Sequence, residues 1–173
     1  MFGILSIAQI RLKLIQVLAL ISLSFMQPSV MAIEVGDTLA LGSLQTIDGQ
    51  TLDASQWKQR NTLVHVWATW CGYCHQQNEH LSQLIKKIPP GSLNIVTISI
   101  DKKPGLVHQY LEKHRYTFPV VMMNKELATG IGKRRGVPEL YILNPQGKVI
   151  KKDYGLMVDL DFFELVKYAR PVK

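Results

Sequence analysis

Between residues 62 and 68 the chain reads Thr-Leu-Val-His-Val-Trp-Ala, mostly apolar, the pattern of a strand buried on both faces of a sheet. Leu93 to Ile100 repeats it, with Thr97 and Ser99 as minor interruptions. Between them Leu81, Leu84, Ile85 and Ile88 recur at i, i+3, i+4 and i+7, which predicts an amphipathic helix ended by Pro89-Pro90-Gly91. Pro104 suits the first turn of a second helix carried by Leu106 to Lys113. Phe118 to Met123 is a short apolar strand led by Pro119, and Glu126 to Ile131 a short helix ending at Gly132. Glu139 to Leu143 and Lys148 to Tyr154 flank a turn at Asn144 to Gly147, and Asp159 to Ala169 reads as a closing helix. Ahead of all this, Leu39 to Ile47 alternates like a strand, Asp48-Gly49 marks a hairpin turn, Gln50 to Leu52 returns, and Ala54 to Trp57 suggests a helical turn. The predicted order is hairpin, β-α-β-α-β, hairpin and helix. This is an α/β fold with a central mixed sheet flanked by helices, an N-terminal β-hairpin extension, and right-handed parallel crossovers.

The first 32 residues follow a different pattern. Arg11 and Lys13 form a positive flank, Leu14 to Met26 an apolar run, Pro28 a break, and Val30-Met31-Ala32 a small-residue cleavage site. That is the order of a secretory signal peptide, with Ile33 as the expected mature start. The run is shorter than the roughly 18 residues of a membrane span. Retention as an uncleaved membrane anchor is the alternative, because Phe2 to Ile10 is also apolar. Residues 33–173 are expected to be one domain outside the cytoplasm, where disulfides persist. The formal charge of +7 falls to +5 without the leader, which contains no acid. Lys133-Arg134-Arg135 is the one basic cluster. Nucleic-acid binding calls for a longer basic stripe with interleaved aromatics, so no nucleic-acid partner is expected.

The chain has two cysteines, in Cys71-Gly72-Tyr73-Cys74, directly after Val66-Trp67-Ala68-Thr69-Trp70. A C-x-x-C pair where a buried strand turns into a helix reads as a thioredoxin-like redox motif. Cys71, at the helix N-terminus, is expected to favour the thiolate and to attack; Cys74, one turn in and shielded, is expected to resolve the mixed disulfide. A purely structural disulfide is disfavoured, because so small a loop constrains the unfolded chain little. Cys71, Cys74 and His75 also spell a c-type haem attachment motif, and with His80 they offer ligands for copper or zinc. These are the rival readings; the redox reading needs no metal and no cofactor. His65 alternates with Leu63 and Trp67 on one strand face. It is either a proton acceptor for Cys74 or a hydrogen-bonded core histidine. Gln77 shares a helix face with Cys74 but cannot titrate. Trp67 is expected in the core, Trp70 as a cover over the motif, and His75 as an exposed helix residue.

The segment Trp67-Ala68-Thr69-Trp70-Cys71-Gly72-Tyr73-Cys74 resembles the W-A-T-W-C-x-x-C of the TlpA/ResA-like branch of the thioredoxin superfamily. Phe118-Pro119-Val120, Gly136-Val137-Pro138-Glu139 and the hairpin Tyr141 to Val149 are similar to that branch's F-P-V strand, cis-proline loop and closing hairpin. The resemblance covers nearly all of residues 33–173. It implies a thioredoxin fold and a periplasmic or membrane-tethered thiol:disulfide oxidoreductase. It also implies protein thiol or disulfide substrates, apocytochrome c among them, and a membrane thiol donor of the DsbD type. By the same resemblance Val137 and Pro138 face the cysteines and pair with substrate backbone. Five positions depart from the branch. His65 stands where a polar or acidic residue is usual, Gln77 and Glu79 replace its Glu and Pro, and Gly72-Tyr73 replaces a proline-containing dipeptide. Cys71-Gly72-Tyr73-Cys74-His75 is similar instead to the periplasmic disulfide isomerase, so an isomerase or oxidase role is the alternative direction. Lacking Pro at position 73, the pair is expected to be less reducing than thioredoxin, roughly −150 to −230 mV.

Overall fold

The computed structural model describes residues 31–169 together with Arg11. The leader pattern of residues 1–30 otherwise lies outside the described residues. Among the described residues, no helix is long and apolar enough to cross a membrane.

The apolar run at 62–67 becomes β3 (Thr62–Trp67), every residue of it buried. It is the middle strand of a five-stranded sheet in the order β5-β4-β3-β6-β7. The other four are β4 (Asn94–Ser99), β5 (Val120–Met122), β6 (Glu139–Leu143) and β7 (Val149–Tyr154). β3 pairs parallel with β4 and antiparallel with β6, and β4 pairs parallel with β5. The sheet is therefore mixed, as the pattern implies. Alternate residues feed two cores. Leu63, Trp67, Leu140 and Ile142 face α1 (Gly72–Lys87), α2 (Pro104–His114) and α4 (Asp159–Phe163). Val64, Val66, Val96, Ile98 and Tyr141 face α3 (Lys125–Ile131) and the N-terminal segment.

Local chemistry sets the helix ends. Pro104 opens α2 with its fixed φ, and Arg115 closes it in the left-handed region at φ 55°. Asn124 caps α3, its side chain accepting from Leu127 N–H at 2.8 Å. Gly132, after α3, sits at φ 73° and ψ −152°, a region essentially restricted to glycine, and a Cβ there would run into the Met31 carbonyl. Gly132→Ala is expected to destabilise the fold by about 2 kcal/mol, read as a lower urea midpoint at unchanged slope.

Two predicted elements take another form. Only β1 (Leu44–Gln45) and β2 (Thr51–Leu52) of the expected hairpin are regular strands. The segment before β1 does not follow one partner. Thr38 bridges Lys148 and Thr46 bridges Val121, so the chain crosses the sheet from the β7 side to the β5 edge. The alternation of Leu39 and Leu41 records burial, not a ladder. The closing helix is α4 followed by a 3₁₀ turn, Glu164–Tyr168. Phe162 and Leu165 are buried and Tyr168 packs against the same core, a spacing of three that suits the tighter winding.

Candidate active site

β3 delivers its last residue, Trp67, into the core, where its ring lies 5.2 Å from Tyr110 and edge-on to Phe118 at 6.3 Å. The chain then turns sharply. Cys71 N–H donates to Ala68 O at 3.3 Å. Asp101, just beyond β4, holds the turn: Oδ2 accepts from Thr69 N–H at 2.9 Å and Oδ1 from the Thr69 hydroxyl at 2.7 Å. Ser99 Oγ–H donates to Asp101 Oδ2 at 2.8 Å, which completes the clamp.

Cys71 is the N-cap of α1, in extended conformation. Its sulfur accepts from Cys74 N–H at 3.1 Å, as an N-cap oxygen otherwise does, and is placed where the helix favours negative charge. Cys71 and Cys74 are joined in a disulfide, with Cα atoms 5.1 Å apart. Cys74 is fully buried and Cys71 partly open, so an incoming group meets Cys71 first. The Val137–Pro138 peptide is cis, and Val137 O lies 3.6 Å from Cys71 Sγ. The structure thus brings Cys71, Cys74, Val137 and Pro138 together. Gly72 is exposed, and a Cβ there would meet nothing within 4 Å.

The two aromatic residues of the motif stand in solvent: Trp70 is 69% exposed and Tyr73 64%. The Trp70 ring, expected as a cover over the motif, stands largely in solvent, whereas Trp67 is fully buried in the core. His75 also differs from expectation. It is half-buried, with Nδ1 3.0 Å from the Tyr110 hydroxyl. His80 turns to Asp159, 2.8 Å away. Among the described residues no group of three His, Cys, Asp or Glu is arranged to hold a metal ion.

His65 is completely buried, and burial lowers its pKa from 6.5 to about 4, so the ring is neutral at pH 7. Its Nδ1 lies 3.3 Å from Glu139 O and its Nε2 3.0 Å from the Asn78 side-chain oxygen. Both neighbours are acceptors, and a neutral imidazole carries a single N–H. The neutral ring donates that N–H to one of them and keeps a lone pair on its other nitrogen, while Asn78 Nδ2 donates to the Tyr110 hydroxyl at 3.3 Å. Gln77 is buried near Cys74 on α1, its oxygen accepting from Met157 N–H at 2.9 Å while its Nε2 has no hydrogen-bond partner among the described residues. Thr69, Asp101, Asn78 and Tyr110 are site residues that sequence reading missed. Asn78 alone left a visible sign, a polar residue on the face that carries Cys74 and Leu81.

An apolar pocket of about 280 Å³, lined by Leu39, Trp57, Leu143 and Pro145 among others, lies at the opposite end of β3. Cys71 sits at the open end of the sheet instead, a geometry suited to a sulfur on another protein.

The AhpC/TSA family matches residues 35–152. The thiol-disulfide oxidoreductase ResA of Bacillus subtilis is 24% identical over 127 residues, which is 72% of this chain and 71% of that one. The sporulation thiol-disulfide oxidoreductase A of the same organism is 23% identical over 117 residues, 66% of this chain and 70% of the relative. Among solved structures, a thiol:disulfide interchange protein of the thioredoxin family from Chlorobium tepidum TLS superposes with a TM-score of 0.69 at 24% identity, covering 80% of this chain and 99% of its own. StoA from Bacillus subtilis gives 0.62 at 23% identity, covering 79% and 98%. At these identities the superpositions establish the thioredoxin fold.

Proposed function

The chain belongs to the AhpC/TSA family, and from that footing we propose that it is a thioredoxin-like thiol:disulfide oxidoreductase working through Cys71 and Cys74 on protein substrates. The observation that carries this reading is the bonded pair itself, with Cys71 capping α1 and its sulfur 3.6 Å from Val137 O beside the cis proline.

In the reduced state the Cys71 thiolate attacks one sulfur of a substrate disulfide. The S–S bond breaks, the other substrate sulfur leaves as a thiolate and takes a proton from water, and a Cys71–substrate disulfide forms. Cys74 then loses its proton and attacks Cys71 Sγ. The second substrate thiolate leaves and the intramolecular disulfide closes. Two electrons pass from the pair to the substrate. Val137 backbone groups pair with the extended substrate, and Trp70 and Tyr73 flank it. His65, neutral and on the same sheet face as Cys74, takes the proton from Cys74; with a pKa of about 4 it holds that proton only in passing. Gln77 sets the neighbouring polarity without titrating.

Location and partners extend the reading. The 1–32 leader pattern, with cleavage after Ala32 or retention as a tether, supports a periplasmic domain. There an apocytochrome c disulfide is a fitting substrate, released as two thiols, and a membrane thiol donor of the DsbD type a fitting source of electrons. Gly72-Tyr73 favours a poise suited to exchange. A glutathione titration is expected to give roughly −150 to −230 mV, and a value at or below about −270 mV would overturn that poise. Thiol trapping in cells reads direction: a mostly reduced pair means reduction or isomerisation, a mostly oxidised pair means oxidation.

A further inference from the structure

The strand ends that surround Cys71 carry charge of one sign. Lys102 and Lys103 follow β4, Lys125 follows β5, and Lys133, Arg134 and Arg135 lead into the Val137-Pro138 loop. β3, β4 and β5 run parallel, and β6 begins where they end, so all six stand at the end of the sheet that presents Cys71. All are exposed except Arg134, which is half-buried. None of the six forms an ion pair among the described residues; the pairs that exist join His80 to Asp159, Lys151 to Asp153, Lys152 to Glu34 and Lys167 to Glu164.

The acids near this end do not neutralise it. Asp101 is buried and occupied by Thr69 and Ser99. Glu139 is buried, with the Tyr141 hydroxyl donating to it at 2.7 Å. Glu126, Asp159 and Asp161 remain exposed, three carboxylates against the six cations, with Asp159 2.8 Å from His80 Nε2. The far end of the sheet is mixed, with Asp48 and Asp53 alongside Lys58, Arg60 and Lys148. Unpaired cations are therefore concentrated where a partner must dock to bring its sulfur to Cys71. That partner also meets the two exposed rings, Trp70 and Tyr73.

We propose that this end selects substrates whose target disulfide is flanked by acidic residues, the six cations steering an anionic segment across Trp70 and Tyr73. The proposal rests on the oxidoreductase reading above and names its substrate class. Rim charges of this kind act on encounter and partner choice more than on the chemical step, so the selection is carried in kcat/KM and weakens with salt.

The test uses the full chain, dithiothreitol as reductant, and three peptides of equal length. Each carries one disulfide, flanked by Asp and Glu, by Lys, or by Ser and Gly. At about 20 mM salt the acidic peptide is expected to exceed the basic one in kcat/KM by roughly tenfold, falling to about twofold or less at about 500 mM. The charge reversal Lys133→Glu with Arg135→Glu is expected to bring the low-salt ratio to one or below. The salt series on the unaltered chain stands even if that variant fails to fold. A ratio near one at both salts, or a preference for the basic peptide, overturns the proposal. So does binding to phosphatidylglycerol vesicles without peptide preference, since the cations would then serve a lipid surface. Neutral hydroxyethyl disulfide separates the two levels. If the unaltered chain fails to reduce it, the oxidoreductase reading falls; if it is reduced but the peptides are not distinguished, only the substrate class falls.

Discussion

Cys74→Ser will accumulate a mixed disulfide through Cys71, and Cys71→Ser will form none. The two thiols differ in place and so in role. Cys71 is partly open and sits at the helix N-terminus, where its sulfur accepts Cys74 N–H at 3.1 Å. Cys74 is fully buried one turn into α1. Without Cys71 the substrate finds no nucleophile, and turnover is expected to drop by roughly 10³-fold or more. Without Cys74 attack still proceeds, but the adduct cannot resolve, and multiple turnovers fall by a similar factor. Intact mass spectrometry of each variant after exposure to glutathione disulfide reads the difference directly. An adduct on Cys71→Ser, or equal adducts on both variants, would reverse or remove the assignment. Serine is nearly the size of cysteine, so folding at the cap should be preserved.

Acidification is the second large effect, and His65 is its source. Burial holds the folded-state pKa of this ring at about 4, against 6.5 when exposed. The unfolded chain therefore binds the proton first as pH falls. Between pH 6.5 and 4 the unfolded state carries more protons than the native state, so this contribution is complete above 6.5 and is lost progressively towards 4. The difference corresponds to about 3 kcal/mol, a large part of a typical domain's stability. Urea unfolding at pH 7.5, 5.5 and 4.5 should show it. His65→Asn is expected to be less stable than the unaltered chain at pH 7.5, yet to lose less on acidification. Equal slopes would move the effect to other groups. The same position bears on catalysis. His65→Ala should slow resolution by Cys74 more than attack by Cys71, and equal effects on both steps would leave the ring a packing element.

The sheet and its helices were legible because their signals are local. β3 and β4 declare themselves by mostly apolar runs, α1 by Leu81, Leu84 and Ile88 at helical spacing, and α2 by Pro104 at its start. The cysteine pair and the Val137-Pro138 loop were legible as motifs. What stayed hidden depends on partners distant in sequence. Asp101 holds Thr69 across 32 residues, and a lone acid after an apolar strand does not announce whom it will meet. Asn78 and Tyr110 sit 32 residues apart and come together only once α1 and α2 pack. Leu39 to Ile47 misled for a related reason. Alternation reports which side chains are buried, and it is silent on whether the backbone follows one strand or crosses several.

The Asp101 clamp also bears on how this scaffold diversifies. The turn into α1 is held by Thr69 and by a neighbouring strand's carboxylate, upstream of both cysteines. A side chain at position 72 would meet only open space, and Tyr73 already points outward. The two residues between the sulfurs can therefore change identity without disturbing the frame that holds them. Replacing Gly72 or Tyr73 is therefore expected to shift the potential of the pair while leaving the unfolding midpoint of the domain nearly unchanged.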